Sequence, residues 1–574
     1  MTAIRYRLAA SIAAALVSAV AAAGPAAAAA PVVIATPGST NGDGGAAGGL
    51  SAMYVDSSGA AHIAWVAMSG MNFTGVIDEC TIHAGGKSCG GRTSLTTDAA
   101  IEGNGASIST IKYLAGPSGS EYLAVGIDGA TEGDILTSET EVFGPGLGSG
   151  RDTGTFYDHG GDSDGGDVIL EPDASGVDVV GIYNNNYDLF DDSNPPGFES
   201  ESFTPGATSA PQYPAGMLYN GGPNVPDIVD VTTLPLGQTA VLAYDDTTKE
   251  ISPVGMYVQP AAGGAFGPLH PLGISGPIET SFSPSGQTYV LNVQIPQDFQ
   301  TNLPGVTMEL YRFRGTSLNP VASIGLASSL DPNSGEETWD GLPPAFEDAS
   351  GNYYVGWIAQ GNVDSCPPSI QGVSGDSEAL CVVYRRITSG GVPGPPVVQI
   401  GNDNGKGTAP VADLGPIAAN PQGAGWMLYT NVNATNNTPT LYAQPLASSA
   451  SVGTVTASGD AASAPVFCAG SSSSSCELSG KLQSGGGAAA DRAAAASVAH
   501  ATVYASVIKR LKGGTKAKLV LRLDKAGKKL LARQHRLKLQ LLITETFAGV
   551  KKPTTVLSES VTFGKSGNRR KKRR

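Results

Sequence analysis

The chain repeats one apolar pattern seven times between residues 31 and 447: a strand, a glycine-closed turn and a second strand. The fourth residue after each repeat glycine is aliphatic in every copy. The glycines are Gly59, Gly119, Gly176, Gly237, Gly286, Gly351 and Gly423, and the aliphatic positions are Ile63, Leu123, Val180, Val241, Val290, Val355 and Met427. Because both faces of the second strand are largely apolar, the pattern predicts strands sandwiched between neighbouring sheets.

The residues before each glycine predict a tight turn. Proline stands two positions before the glycine in four copies, where a type I turn accepts it. A short side chain that can bond the turn backbone stands three positions before it, as Asp56, Asp173, Asp348 or Asn420. Each copy therefore predicts a β-hairpin.

The repeat glycines are about 61 residues apart on average, which leaves room for a second hairpin in each copy. Four strands per copy is the blade of a β-propeller, so the sequence predicts an all-β, seven-bladed propeller over residues 31–447. The early strand at 31–35 is expected to complete the last blade. A β-sandwich or a solenoid with weak repeats is the alternative.

The carboxyl end has a different composition and charge. Residues 448–497 predict an Ala/Ser/Gly-rich linker with a stapled hairpin, and 498–564 predict a small β-sandwich-like basic domain with a short helix near Lys525–Arg533. Residues 565–574 predict a disordered basic tail. From Asp491 onward there are 22 Lys or Arg and 4 Asp or Glu, a net of +18, whereas the remainder has a net of −33.

The first 30 residues predict a cleaved signal peptide, because Arg5 and Arg7 precede an apolar run and an alanine tract. The chain is therefore expected to be exported and to be extracellular or associated with the cell envelope, with no membrane span. The six cysteines form three sequence-local pairs, which predict three disulfides: Cys80–Cys89, Cys366–Cys381 and Cys468–Cys476. Zinc binding is the alternative, although no Cys-x-x-Cys occurs.

The loop from Asp158 to Asp167 is the candidate metal site. Its four carboxylates, Asp158, Asp162, Asp164 and Asp167, supply hard oxygens on a glycine-rich backbone, as calcium prefers. A solvated acidic loop without metal is the alternative, and the segment 184–194 has the same two interpretations. Two Gly-x-Ser-x-Gly matches, starting at Gly86 and Gly161, do not open a helix after a strand, so no nucleophile elbow is expected.

The stretches Asp56–Trp65 (D-x-x-G-x-x-H-I-A-W) and Asp348–Trp357 (D-x-S-G-x-Y-Y-V-G-W) resemble the inner hairpins of secreted bacterial sialidase-like propellers. The Ser-x-Asp-x-Gly-x-x-Trp box and the Arg-Ile-Pro motif of that family do not occur, so the resemblance implies the architecture rather than the activity. A sialidase would need three converging arginines, and the body contains Arg92, Arg151, Arg312, Arg314, Arg385 and Arg386. Tyr311 with Glu309 would be its nucleophile and partner.

The stretches LRL, KAGKKLL and RLKLQLLIT, between Leu521 and Thr544, resemble small β-sandwich modules that end some secreted actinobacterial proteins. The resemblance implies an accessory surface module. The tail after it could bind an anionic cell-wall polymer or nucleic acid, or it could simply be solvated.

The sequence thus predicts a non-enzymatic extracellular propeller that binds a glycan or protein ligand and is held near the cell envelope by its basic end. A sialidase-like glycoside hydrolase is the alternative function.

Overall fold

The computed structural model describes two compact units, Ala30–Leu446 and the residues from Ala447 onward. It describes residues 31–35, 50–69, 72–97, 107–115, 121–130, 136–143, 152–157, 167–172, 177–185, 197–203, 228–234, 238–244, 253–259, 266–275, 278–282, 288–294, 307–325, 345–348, 350–360, 380–391, 393–394, 397–399, 411–433, 438–470, 474–484, 502–546 and 553–564. No helix among these has the length and apolar character of a membrane span.

The first unit consists of seven antiparallel sheets, one for each sequence repeat. The first strand along the chain, β1 (Val32–Ala35), belongs to the last of these blades. Blade 1 contains β2 (Ser51–Val55), β3 (Ala61–Ser69), β4 (Asn72–Ile82) and β5 (Gly90–Thr96), and blade 2 contains β6 (Ser107–Ala115), β7 (Glu121–Ala130), β8 (Leu136–Phe143) and β9 (Asp152–Tyr157). Blade 3 contains β10 (Asp167–Pro172), β11 (Val177–Asn185) and β12 (Gly197–Phe203). Blade 4 contains β13 (Ile228–Thr233), β14 (Thr239–Tyr244), β15 (Pro253–Gln259) and β16 (His270–Ser275).

The remaining blades follow the same order. Blade 5 contains β17 (Ile278–Phe282), β18 (Thr288–Gln294), β19 (Thr307–Arg314) and β20 (Ser317–Gly325); blade 6 contains β21 (Ala345–Glu347), β22 (Tyr353–Gln360), β23 (Leu380–Ile387) and β24 (Val397–Gln399); blade 7 contains β25 (Val411–Ala419), β26 (Gly425–Asn433), β27 (Thr438–Pro445) and β1. The predicted seven-bladed propeller is confirmed, and β1 pairs with β27 as the outermost strand of blade 7, as predicted.

The first strand of each blade is the innermost, because the first strands of neighbouring blades contact one another around the ring. Each repeat glycine falls between the first and second strands of its blade. Gly59, Gly351 and Gly423 have φ values of 86°, 75° and 78°, a left-handed backbone that favours glycine. The other four repeat glycines lie outside the described residues, and the bounds of their flanking strands give them the same position in the blade.

The short side chain before each described glycine bonds the turn. Oδ1 of Asp348 accepts the amides of Ser350 (2.8 Å) and Asn352 (3.1 Å). Asp56 and Asn420 accept the equivalent amides in blades 1 and 7. The predicted side-chain-to-backbone bond therefore recurs in three blades.

The aliphatic column forms the packing between blades. Ile63, Leu123, Val241, Val290, Val355 and Met427 are each 0% exposed. One apolar cluster joins Ile63 of blade 1 to Leu428 of blade 7, and another joins Leu242 of blade 4 to Val290 of blade 5. Each sheet therefore covers a face that no single blade could bury.

The second unit is a sandwich of two sheets. One contains β28 (Ser449–Val452), β29 (Thr456–Ser458), β30 (Ala461–Ala469) and β33 (Thr515–Arg522); the other contains β31 (Ser475–Gln483), β32 (Val503–Lys512), β34 (Arg536–Thr546) and β35 (Thr554–Gly564). The helix α1 (Lys525–Gln534) begins at Asp524, whose side chain accepts the Gly527 amide at 2.7 Å. At Gly480 the two sheets approach so closely that a Cβ would lie 2.8 Å from Leu519.

The predicted linker over 448–497 needs correction, because β28–β31 belong to this sandwich. In β30, Ala462, Ala464, Val466 and Cys468 are buried on alternate positions. A strand built from such small residues has a linker-like composition, and only its period of two indicates packing.

Two predicted disulfides are present. Cys80 is bonded to Cys89 across the outer hairpin of blade 1, and Cys468 is bonded to Cys476 between β30 and β31. Cross-links of this kind fit an oxidising, extracellular compartment. Cys366, and with it the third predicted pair, lies outside the described residues, as does the predicted signal peptide.

Replacing Asp348 with Ala is expected to lower the free energy of unfolding by about 1–3 kcal/mol, because it leaves buried turn amides without their acceptor. Urea denaturation of the purified chain measures this. Ser350→Ala is the matched control, since Ser350 is exposed and contributes its backbone amide to the turn. Equal stability of the two variants would contradict the role of Asp348.

The second unit should lose stability as pH rises. Glu545 is 1% exposed, and burial raises its pKa to about 8 although its carboxyl accepts the Ala450 amide at 2.8 Å. The folded state therefore holds a proton that the unfolded chain releases above its ordinary pKa near 4.5. Between these values stability falls by up to about 1.4 kcal/mol per pH unit.

Thermal unfolding of the full chain followed from pH 5 to 8 measures this slope in the transition of the second unit. Glu545→Gln, which has the same shape and no titrating proton, should flatten it. A slope that persists in this variant would assign the effect to another group.

Candidate active site

The two ends of the propeller differ in their connections. First and second strands are joined at one end by segments of four or five residues, such as 56–60 and 348–352. At the other end, which we call the mouth, the connections range from 276–277 to 326–344. The innermost hairpins therefore share a uniform turn, whereas long connections such as 326–344 and 361–379 lie at the mouth, as is typical of a scaffold that carries its function on its loops.

Acidic residues recur where the innermost strands begin, at the mouth. They are Asp167 in β10, Asp230 in β13, Glu279 in β17 and Asp413 in β25. Each lies within the first three residues of its strand. Four of the seven innermost strands therefore bring a carboxylate-bearing residue to the same end of the ring.

Asp230 and Glu279 occupy equivalent positions in adjacent blades. Asp230 pairs with Leu242, the fifth residue after Gly237. Glu279 pairs with Leu291, the fifth residue after Gly286. The register therefore places these two acids at the same height on neighbouring strands.

A hydrogen bond joins the two innermost strands at this point. Oδ2 of Asp230 accepts the backbone amide of Thr280, the residue that follows Glu279. The Asp230 carboxylate is therefore held against β17 within one residue of the second acid.

β-Bulges occur near the mouth end of two innermost strands. The pairing of the first and second strands shifts just before Asp230 and just before Asp413, between Ile228 and Asp230 and between Val411 and Asp413. A bulge re-aims the side chains around it and is frequent beside active sites. Both acids thus follow a local departure from regular pairing.

Buried hydroxyls lie close to these acids in the strand register. Oγ1 of Thr232, Thr280 and Thr430 has no hydrogen-bond partner within the described part of the chain, and the three residues are 1%, 3% and 2% exposed. Thr232 lies two residues after Asp230 on the same face of β13, and Thr430 is the register partner of Asp413. Hydroxyls buried in this way favour a nearby water or a polar ligand.

The predicted sialidase arginines do not converge. Nη2 of Arg92 lies 2.6 Å from Oδ2 of Asp78, and the Arg92 guanidinium lies over the Trp65 ring. Arg312 donates to Tyr353 (2.8 Å) and to the Gly351 carbonyl (2.9 Å).

The remaining arginines are dispersed as well. Arg385 donates to the Gly394 carbonyl and Arg386 to Tyr354, whereas Arg314 is exposed and Arg151 lies outside the described residues. Each of the four bonded arginines is thus engaged within or between blades.

Tyr311 and Glu309 do form a pair, since the Tyr311 hydroxyl donates to Oε2 of Glu309. They lie on β19, the third strand of blade 5, away from the innermost strands. Burial, and then the neighbouring Glu309, raises the pKa of Tyr311 to about 12. A phenol that holds its proton this firmly is a poor nucleophile at neutral pH.

A further ionisable cluster lies between blades 1 and 2. Glu79 is buried and accepts hydrogen bonds from Tyr113 (3.1 Å) and Thr93 (3.2 Å), and its burial raises its pKa. Nearby, His62 stacks on Tyr54 with 4.5 Å between ring centroids and lies 3.6 Å from Asp56. Because Asp56 belongs to a short turn, this cluster extends to the end opposite the mouth and joins two blades.

The predicted calcium loop is attached at the mouth. It connects β9 to β10, and Asp167 is the first residue of β10. Asp158, Asp162 and Asp164 lie outside the described residues, among which no cluster of three metal-ligating side chains occurs. The segment 184–194 follows the end of β11 and starts from the same end of blade 3.

Asp230, Glu279, Asp413 and Thr280 were not predicted as site residues. The available signal was a single acid near the start of an otherwise uncharged first strand, as in IVDVTT and IETSF. Such an acid can be recognised as a candidate site residue only when the strand register aligns it with acids of other blades.

No protein-family model matches the chain, and no curated protein does. Similar solved structures include the GH93 α-L-arabinofuranosidase of Fusarium graminearum, 9% identical over 73% of this chain and 98% of that one, with a TM-score of 0.34. An exo-β-1,3-galactanase of Phanerochaete chrysosporium is 10% identical over 92% and 99%, with a TM-score of 0.29. The Dos1 propeller is 8% identical over 72% and 94%, with a TM-score of 0.33.

Two of these three proteins are glycan-cleaving enzymes. This comparison overturns the expectation of a non-enzymatic propeller. At such low sequence identities and TM-scores, structural similarity shows neither the reaction nor the substrate of this chain.

Thr280→Val is expected to leave the free energy of unfolding unchanged or to raise it, because the variant removes a buried hydroxyl that lacks a described partner. Thr288→Val is the matched control in the same blade: the Thr288 hydroxyl donates to the Thr233 carbonyl, and its loss should cost about 1 kcal/mol. Chemical denaturation compares the two. A larger loss in Thr280→Val would show that its hydroxyl is already satisfied within the protein.

Proposed function

We propose that the propeller is a glycoside hydrolase that acts at its mouth, with Asp230 and Glu279 as the pair of carboxyl groups. The observation that carries this proposal is the hydrogen bond from the Thr280 amide to Asp230, which links two strands whose acids stand at equivalent positions of adjacent blades. Hydrolysis of a glycosidic bond needs such a pair and no further cofactor.

The two carboxyl groups would have different roles in the reaction. One carboxyl group protonates the glycosidic oxygen as the bond from that oxygen to the anomeric carbon breaks. The other carboxylate either attacks the anomeric carbon or takes a proton from the attacking water. Because an amide donor fixes Asp230 against β17, its carboxylate is oriented before substrate binds, which favours it as the ionised member.

The charge of the mouth favours neutral glycans. Four acids at the start of the innermost strands, in a propeller whose residues 31–447 include 10 Lys or Arg and 44 Asp or Glu, repel carboxylate-bearing sugars. The arginines that would attract a sialic acid are engaged elsewhere in the blades. The buried threonine hydroxyls are suited to hydrogen bonds with the hydroxyl groups of a neutral sugar.

We also propose where the protein acts and what retains it there. We infer export by the amino-terminal signal peptide, which the two disulfides support. Retention near the cell envelope by the basic tail, through an anionic wall polymer, and calcium binding by Asp158, Asp162, Asp164 and Asp167 remain predictions. Calcium bound there would lie at the mouth end of blade 3, where it could order the connection into β10.

Asp230→Asn and Glu279→Gln are each expected to lower kcat/KM by roughly a hundredfold or more, the contribution of a positioned acid or base. A panel of fluorogenic glycosides, with α-L-arabinofuranosides, β-galactosides, β-xylosides and sialosides, measures the turnover. Both variants keep the size of the side chain, and the carboxamide oxygen introduced by Asp230→Asn would still accept the Thr280 amide.

Glu309→Gln is the matched control, because Glu309 is an acid of the same blade that lies on the third strand. It should retain the turnover of the unmodified chain. Failure of every neutral glycoside, or activity that survives both mouth substitutions, would contradict the proposal.

A further inference from the structure

The second unit carries a row of cations on one face. Lys516, Lys518 and Arg522 lie on the exposed face of β33, with Val520 between the last two, whereas Leu519 and Leu521 are buried in the sandwich. Helix α1 follows directly and exposes Lys525, Lys528 and Lys529. We call these six residues the basic strip.

Contacts show that the strip is continuous from the strand to the helix. Asp460 lies 2.9 Å from Lys528 and 3.9 Å from Arg522, so the helix face and the end of β33 meet at one carboxylate. Nζ of Lys509 donates to the Lys518 carbonyl at 3.1 Å, which brings a further cation from β32 to the middle of the strip.

The positive charge of the strip is mostly uncompensated. Within the described residues its acidic neighbours are Asp460 and the helix cap Asp524. The side chains of Arg522 and Lys528 remain 71% and 53% exposed despite their ion pairs. Because exposed ion pairs contribute little stability, the strip is better explained by a partner than by folding.

The outer face of the other sheet is different. Its five cations are spread over three strands, as Lys481, Arg510, Lys512, Arg536 and Lys538. Lys481 pairs with Leu542, Lys538 pairs with Thr562, and Arg510 lies opposite Glu477. The cations of the basic strip, in contrast, follow one another along β33 and α1.

The spacing of the strip fits a linear polyanion. Alternate residues of a strand are about 7 Å apart on one face, so β33 and α1 present a line of charges along which an extended chain could lie. Five of the six residues are lysines, which act as point charges on phosphate and do not require a planar, bidentate partner. The six residues of the strip include no aromatic side chain on which nucleic-acid bases could stack, and the ring beside them, Phe467, lies under the Lys516 ammonium at 5.9 Å.

We propose that the basic strip is a docking surface for a phosphodiester polymer without bases, such as a polyol-phosphate chain of a cell wall. The strip binds by displacing counterions from the polymer, so the affinity depends steeply on salt. This surface belongs to the folded unit and is distinct from the basic tail after residue 564. It does not depend on the proposed hydrolase activity.

Binding of the full chain to poly(glycerol phosphate), measured by calorimetry at low and at physiological salt, tests the proposal. The triple variant Lys516→Gln, Lys518→Gln, Arg522→Gln should weaken binding at least tenfold and reduce the salt slope. The triple variant Lys481→Gln, Arg536→Gln, Lys538→Gln removes the same charge from the other sheet and should change binding less than threefold. Thermal unfolding checks that both variants are folded.

Two further binding experiments identify the partner and the part of the chain that binds it. A chain that ends at residue 564 should keep most of its affinity, and single- and double-stranded DNA should bind more weakly than poly(glycerol phosphate). The proposal is overturned if the two triple variants lose affinity equally, if removal of the tail alone abolishes binding, or if DNA binds more tightly.

Discussion

The corner between the first and second strands of each blade is the constraint on which the propeller depends. A short side chain satisfies the turn amides, and the glycine adopts a left-handed backbone that few other residues tolerate. The glycine carbonyl then accepts a donor from the preceding blade: Trp426 donates to Gly59 at 3.3 Å, and Arg312 donates to Gly351 at 2.9 Å. One corner thus sets the register within a blade and ties that blade to its neighbour.

Much of this architecture could be predicted from the sequence, because its determinants are local. The repeat glycine, the acceptor before it and the aliphatic residue after it have fixed spacing, and strand β1 followed from an isolated apolar run. The mouth could not be predicted in this way. Asp230 and Glu279 are separated by 49 residues, and only the pairing of each strand shows that they share a level of the ring.

Composition was misleading in two places. Residues 448–483 have the small-residue composition of a linker, yet Ala462 and Ala464 are fully buried inside a sandwich. The arginines of the body were considered for a sialidase site because that reaction needs three of them together, but the structure engages Arg312 and Arg386 in contacts that hold strands and blades together.

The two units differ in charge and therefore favour different kinds of polymer. The propeller is acidic and has carboxylate-bearing residues at its mouth, whereas the second unit is basic and has a row of cations along β33 and α1. Hydrolysis at an acidic mouth favours neutral glycans, and a basic strip favours an anionic polymer. A protein with both would cleave one polymer while it is bound to another.

The most direct test of the central claim is a crystal structure of the Asp230→Asn variant with a neutral oligosaccharide that the unmodified chain cleaves. The account predicts a sugar ring at the mouth, over the starts of β13 and β17, with its glycosidic oxygen within hydrogen-bond distance of residue 230 or of Glu279. A sugar bound at the end of the short turns, or on the outer strands of a blade, would contradict it.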